Sequence, residues 1–466
     1  MPEFPAQLLA RWTGGRWTAR PESPLTGFTV DSRQLRPGQV FVALKTPQRD
    51  GHGFLRGAAA AGAGAAFVAL PDRSLALPQL VVADPLTAFQ AVAREHRRAF
   101  HRPVIAISGS AGKTSTKDLL ALLLGGEASG VAATEGNLNN HLGVPLTLTR
   151  LDPPRHRFAV VEAGISAPGE MKPLADMIAP DVTLITLVAP AHTAALGGID
   201  GVAREKAVLP AATRAGGVAI FTRATAELAE FRALGVRQMI VERAGVVRPA
   251  EPPPDRAFFS LTHRGESTAV ALAYGRPPPL AFTFRRVSDG MAQNAVLAIC
   301  TALWLGVPPK LIQTRLAGWL PASLRGEIRW LDGRLLYLDC YNANPASMAD
   351  ALAAFDAIAP AGEARLYVIG GMEELGAEAA AHHRALGRAI ALREDDYLFV
   401  MGPQAQEVCA GVRERGDFAH QLQIVSTLEP VAACFAGWRG AVFIKGSRRY
   451  RLEGILEGQT SLPLPC

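Results

Sequence analysis

The chain has 466 residues, of which 49% are apolar and 19% charged, with a formal net charge of +6. This length exceeds one core of roughly 150 residues and points to about three domains, and the apolar content excludes an intrinsically disordered chain. The modest positive balance, with Arg448, Arg449 and Arg451 as the densest basic cluster, excludes a nucleic-acid binder and suits an anionic substrate such as a nucleotide.

Residues 1–102 read as a small α/β unit. Strands are expected at 27–30, 39–44, 65–70 and 80–83, with helices at 54–63 and 85–98, the second ending in basic residues that suit a helix C-terminus. Residues 103–320 read as strands at 103–107, 158–162, 181–187 and 217–221, with helices at 118–124, 292–304 and 308–316. The Pro-rich segment 245–290 reads as short antiparallel strands. Residues 321–466 repeat the rhythm, with strands at 335–339, 365–369, 397–401 and 441–445 and helices at 347–357, 378–392 and 429–438. Strands alternating with helices predict an α/β protein with a parallel central sheet and a second, Rossmann-like doubly wound sheet. The five cysteines (300, 340, 409, 434 and 466) form no C-x-x-C pair, which excludes a zinc ribbon and argues against a disulfide framework. The opening MPEFPAQLLARW has no apolar core of a signal peptide. Residues 57–70 are too short to span a bilayer, and 182–199 are broken by Pro190, His192 and several glycines, so a cytoplasmic chain without a membrane span is expected.

The stretch with the plainest chemistry is Gly109-Ser110-Ala111-Gly112-Lys113-Thr114-Ser115. An apolar strand leads into a glycine turn and then a helix, so free backbone N–H groups and the positive end of the helix face an anion. Lys113 adds a mobile cation, and the Thr114 hydroxyl suits a Mg²⁺ ligand. The strict phosphate-loop pattern needs glycine five places before Gly112. Ile107 stands there, leaving the shorter G-x-x-G-K-T.

Other residues carry weaker signals. Glu162 closes the strand 158–162, where a carboxylate could ligate the nucleotide's Mg²⁺. Read alone, His192 in VAPAHTAALGG is as well explained by a structural role, and Lys206 in GVAREKAVLP by a solvated helix face. In TEGNLNNHLGVP the residues Thr134, Asn137, Asn139 and Asn140 gather uncharged donors and acceptors, suited to sugar hydroxyls and phosphate oxygens, or to a turn. DCYNANPAS ends the strand 335–339 and opens a helix, with Ser347 as the expected N-cap.

Taken together these segments resemble the Mur ligase family, in order from about residue 30 to 455. DSR, PGQVFVAL and DGH match its uridine-nucleotide unit, GSAGKTSTK its ATP loop, and TEGNLNNHLGVP its UDP-sugar loop. VVEAG, PAH and GVAREK match its metal-site segments. DCYNANPASM is similar to the branch that adds D-alanyl-D-alanine, and LRGE, GGMEELG and IKGSRRYRLE continue the match.

The resemblance implies an ATP-dependent amide ligase that joins D-alanyl-D-alanine to UDP-N-acetylmuramoyl-tripeptide through an acyl phosphate, in peptidoglycan precursor synthesis. It implies a UDP-substrate domain (1–102), an ATP domain (103–320) and a C-terminal ligase domain (321–466), in a monomer. Lys113, His192 and Lys206 would be catalytic, with Lys206 carbamylated. ATP would be held by the residues 109–115 of the loop with Asn294, Arg325 and Asp339. Two Mg²⁺ would be held by Thr114, Glu162, His192 and Lys206. Ser32, Arg33, Thr134, Asn137 and Asn140 would face the UDP substrate, and Asn342, Asn344 and Ser347 the dipeptide.

The chain departs from the family pattern at Leu187, Ala194, Gly290-Met291 and Gly371, where the family carries Asn, Glu, His-Asn and Asp. Three other readings compete: a sister ligase with another amino-acid substrate, a non-catalytic nucleotide-binding paralogue, and an unrelated phosphate-loop switch protein.

Overall fold

A computed structural model describes residues 2–245, 253–275 and 278–457. Parts of the predicted 245–290 strands (246–252 and 276–277) and Cys466 lie outside the described residues. Three sheets are present, of five, nine and six strands.

The first sheet runs Arg16–Trp17, Gln79–Val81, Ala65–Val68, Val40–Val42, Phe28–Thr29, and all neighbours but the first pair are parallel. Helices Ala6–Thr13 and Pro85–Ala99 flank it, and Leu9, Phe28, Phe67 and Phe89 fill a common core. Asp84 caps the second helix by accepting from Thr87 N–H, and Pro85 supplies a fitting first residue. The basic end of that helix is not simply solvated. Arg97 is buried and donates to Ile178 O (2.8 Å), Ala179 O (2.8 Å) and Asp181 Oδ2 (2.9 Å), docking the first unit onto the second.

The central sheet runs Leu280–Arg285, Ser267–Ala273, Arg256–Arg264, Gln238–Arg243, Val218–Thr222, Val182–Ile185, Val104–Ser108, Phe158–Glu162, Val131–Ala133. The pairs involving the first three strands are antiparallel to each other, and the rest of the sheet is parallel. The central parallel strands Val104–Ser108, Val182–Ile185 and Val218–Thr222 are buried at every position, so the sheet is covered on both faces there. The segment after 253 forms longer strands than expected. Its buried residues alternate (Ala257 and Phe259, Val270 and Leu272, Phe282 and Phe284), so one face joins the main core. The helix after the phosphate loop starts at Lys113, not at 118, because Gly112 takes the left-handed conformation (φ 76°) and opens it directly.

The third sheet runs Glu327–Leu331, Arg334–Asp339, Ala441–Lys445, Arg365–Gly370, Tyr397–Met401, Leu422–Val425, parallel except at its first pair. Helix Pro345–Ile358 packs on it. Its N-cap is Asn344, not Ser347. Asn344 Oδ1 accepts from Ser347 N–H (2.9 Å) while Ser347 Oγ accepts from Asn344 N–H (3.1 Å), a reciprocal box that leaves Pro345 at the first helical position.

Candidate active site

In the central sheet the strand order turns at Val104–Ser108, whose neighbours Phe158–Glu162 and Val182–Ile185 lead to opposite edges. The crevice at the carboxyl ends of these strands is where an open α/β sheet binds its ligand. The phosphate loop leaves the first of them there. The Thr186 hydroxyl donates to Ala111 O (2.6 Å), Ser110 N–H donates to Leu187 O (2.9 Å), and Ser110 Oγ both donates to Ala189 O (2.7 Å) and accepts from Ala189 N–H (3.0 Å). Leu187, where the family has Asn, therefore acts through its carbonyl, which any residue supplies. The Asn294 amide covers Gly112 so closely that a Cβ there would fall on it, and a Cβ at Gly109 would fall on Thr186 Oγ1.

Two lysines converge on one carbonyl. Lys113 Nζ lies 2.9 Å and Lys206 Nζ 3.1 Å from Gly109 O. Lys206 is buried, which removes its reading as a solvated helix residue. Burial and then the Lys113 charge hold it well below the ordinary lysine range, opposed by Glu205. Burial also lowers Lys113, with Glu162 opposing and Arg325 reinforcing.

Glu162 pairs in register with Ile107 and is buried. Its Oε1 accepts from Asn139 Nδ2 (2.7 Å) and Thr114 Oγ1 (3.2 Å), and its N–H donates to Thr134 Oγ1 (3.0 Å). Its Oε2 has no hydrogen-bond partner, and Ser108 Oγ and Asn294 Oδ1 are likewise buried and unpaired. A buried carboxylate with one orphan oxygen, its other oxygen shared with the Thr114 hydroxyl, fits a hard divalent cation. Among the described residues no group of three or more His, Cys, Asp and Glu side chains is gathered for a metal ion. Asn139, grouped in the sequence with the polar loop Thr134–Asn140, is the member that holds Glu162, a pairing the loop's composition does not reveal.

His192 takes a left-handed conformation (φ 57°) at the start of helix Thr193–Leu196, and its Nδ1 contacts the Glu374 carboxylate of the third unit. Burial lowers its pKa, Glu374 opposes, and Lys113 and Lys206 add to the lowering. Thr193 Oγ1 donates to Leu375 O (3.1 Å) and Ala194 N–H to Glu374 O (3.1 Å). Glu374 lies in the GGMEELG segment, but its role against His192 was not read from the sequence.

From the third sheet, Asn344 Nδ2 donates to Ser110 O (3.1 Å). Asn344, expected from the sequence on the dipeptide side, thus has both ends of its amide engaged, one by the phosphate loop and one by its own helix. Asp339 Oδ2 accepts from the buried Lys445 (2.5 Å), and Asn342 lends Lys445 its carbonyl (3.3 Å). Arg325 lies 3.7 Å over the Tyr341 ring. Ser32 and Arg33 sit apart in the first unit. Asp31 caps their turn, and its pairing with Arg33 holds the Asp31 carboxyl down at about 2. Asn137 and Asn140 are exposed, and Asn140 Oδ1 accepts from Gly143 N–H (2.9 Å). The Asn loop meets the first unit through Gln90 Nε2, which donates to His141 O (3.0 Å).

Two of the departures, Gly290 and Gly371, have packing reasons. A Cβ at Gly290 would lie 2.7 Å from Asp350 Oδ2, and Gly290 N–H donates to Asp350 Oδ1 (2.8 Å). A Cβ at Gly371 would lie 2.9 Å from the Tyr450 hydroxyl, and Ala194 packs 2.9 Å from the position of a Cβ at Gly376.

The model of the Mur ligase middle domain matches residues 107–246, and that of the Mur ligase glutamate ligase domain matches 325–448. A relative from Escherichia coli (strain K12), the UDP-N-acetylmuramoyl-tripeptide--D-alanyl-D-alanine ligase, is 31% identical over 93% of each chain. The chain belongs to the Mur ligase family. Its relative of the same name from Synechocystis sp. (strain ATCC 27184 / PCC 6803 / Kazusa) is 32% identical, over 87% of this chain and 86% of that one. Among solved Mur ligases, MurF from Acinetobacter baumannii superposes with a TM-score of 0.86 at 28% identity over 98% of both chains. Membership in the Mur ligases makes this an α/β ligase of three sheets. Among the described residues no helix is long and apolar enough to cross a membrane.

Proposed function

We propose that this chain is an ATP-dependent ligase that joins D-alanyl-D-alanine to UDP-N-acetylmuramoyl-tripeptide, acting in the cytoplasm as a monomer. The observation that carries the chemistry is the convergence of Lys113, Lys206 and the orphan oxygen of Glu162 on one phosphate loop. The names of the relatives support the substrates. The first unit (1–102) would hold UDP through Ser32 and Arg33, the second (103–320) ATP, and the third (321–466) the dipeptide near Asn342 and Ser347.

A free carboxylate is a poor electrophile. An oxygen of the tripeptide carboxylate attacks the γ-phosphorus of ATP, and ADP leaves. The dipeptide amine then attacks the acyl carbon, phosphate departs, and the amine loses a proton. The loop N–H groups and Lys113 orient and neutralise the phosphates, and Arg325 and Asp339 meet the nucleotide from the third unit. Thr114, Glu162, His192 and a carbamylated Lys206 would hold Mg²⁺. When bound, the metal supplies charge neutralisation for phosphate and carboxylate oxygens. The neutral amine that burial favours at Lys206 is the form that attacks CO₂, forming the N–C bond and releasing one proton.

The test is phosphate release from ATP. It is expected only when UDP-N-acetylmuramoyl-tripeptide and D-alanyl-D-alanine are both present. Release with another amino acid in place of the dipeptide would assign a sister activity, and none with any acceptor would leave a nucleotide-binding paralogue.

A further inference from the structure

Ser110 spends its polar groups unevenly. Its N–H and its hydroxyl are held by Leu187 and Ala189 of the central unit. Its carbonyl turns the other way and accepts from Asn344 Nδ2 (3.1 Å), a residue 234 positions along the chain, in a buried contact. The same Asn344 side chain caps helix Pro345–Ile358 through its other end, Oδ1 to Ser347 N–H. One amide therefore joins the start of a third-unit helix to the back of the phosphate loop.

We propose that Asn344 is a positioning residue that latches the third unit to the phosphate loop, so that the loop reaches its working shape only when that unit is docked. This rests on the ligase reading above and adds to it a coupling between domain docking and phosphate transfer. The physical basis is the orientation of the amide. Its acceptor end is committed to the helix by the capping box, which forces the donor end toward Ser110 O. If the third unit swings away, the helix keeps its cap but the buried Ser110 carbonyl loses its partner, a state that water alone can repair. ATP bound to the central unit would then lie on a loop held from one side. Such a latch discourages phosphate transfer before the unit that carries the amine has arrived.

The two ends of the amide can be separated by substitution. Asn344→Asp and Asn344→Ser both keep a side-chain oxygen for the cap, because Asp and Ser are good N-cap residues. Neither presents an amide N–H to Ser110 O. Both variants are expected to melt within about 2 °C of the wild type. Their KM for ATP and for UDP-tripeptide should stay within about twofold, while kcat falls about tenfold or more. Small-angle scattering of the substrate-free variants should show a larger radius of gyration than the wild type. Wild-type kcat in Asn344→Ser overturns the latch, whatever Asn344→Asp does. So does a loss of kcat matched by a fall in melting temperature in both variants, which is what a helix cap alone would give. An unchanged radius of gyration also overturns it. The scattering comparison needs no turnover, so it tests the latch separately from the ligase reading, which fails if the wild type itself releases no phosphate with all three substrates.

Discussion

Lys113 and Lys206 share one acceptor, the carbonyl of Gly109, with Nζ–O distances of 2.9 and 3.1 Å. Two ammonium groups this close in a buried site repel each other, and Lys206, deeper in the core, yields its proton more readily.

Lys206 should therefore respond to CO₂ and to pH. Activity is expected to fall in CO₂-depleted buffer, recover on adding bicarbonate, and decline as acid protonates the amine. Lys206→Ala should lose most activity, and Lys206→Arg should not restore it, because Arg keeps its charge. The stability effect has a definite sign. A lysine with a depressed folded-state pKa costs stability fully below that pKa, and the cost vanishes as pH rises through the unfolded value. In CO₂-free buffer Lys206→Met should melt at or above the wild type near neutral pH, with the gap closing toward alkaline pH. Thermal melts across pH check this.

Lys113→Ala should fold normally and lose ~10²–10³ in turnover, as expected for removal of one preorganised charge donor. Steady-state phosphate release measures it, and near wild-type turnover would remove Lys113 from the mechanism.

Gly112→Ala should be costly twice. The left-handed backbone (φ 76°) costs a residue with a Cβ about 1–2 kcal/mol, and that Cβ would fall on the Asn294 amide. A lower melting temperature and weakened ATP binding, read by calorimetry, are expected together.

Asn139→Ala should leave Glu162 Oε1 with Thr114 alone. Losing a donor to a buried carboxylate is worth about 1–3 kcal/mol. Turnover should fall and the magnesium concentration for half-maximal rate should rise, while Asn139→Asp should be worse than Ala because it adds a second charge.

Gly371→Asp, which restores the family residue, should destabilise this chain because its Cβ meets the Tyr450 hydroxyl at 2.9 Å. Overpacking of this kind costs about 1–3 kcal/mol. Adding Tyr450→Ala should recover much of it, and the double-mutant cycle by chemical denaturation gives the coupling.

Features encoded within a short stretch were legible in the chain. The strands 158–162, 397–401 and 441–445 match the structure residue for residue, because buried parallel strands are unbroken apolar runs. The phosphate loop was legible because glycines, Lys113 and Thr114 are contiguous. The tertiary structure alone decided what distant segments do to one another. Lys206 has the same helical neighbours whether it faces water or Gly109 O, so its burial could not be read from periodicity. His192 meets Glu374 at a separation of 182 positions, and Asn344 meets Ser110 at 234. Ser347 looked like the cap because serine caps helices, yet Asn344 three residues earlier holds that place and turns its amide to the loop. Such pairings depend on how whole layers dock, a sum of many weak contacts that no short stretch of sequence contains.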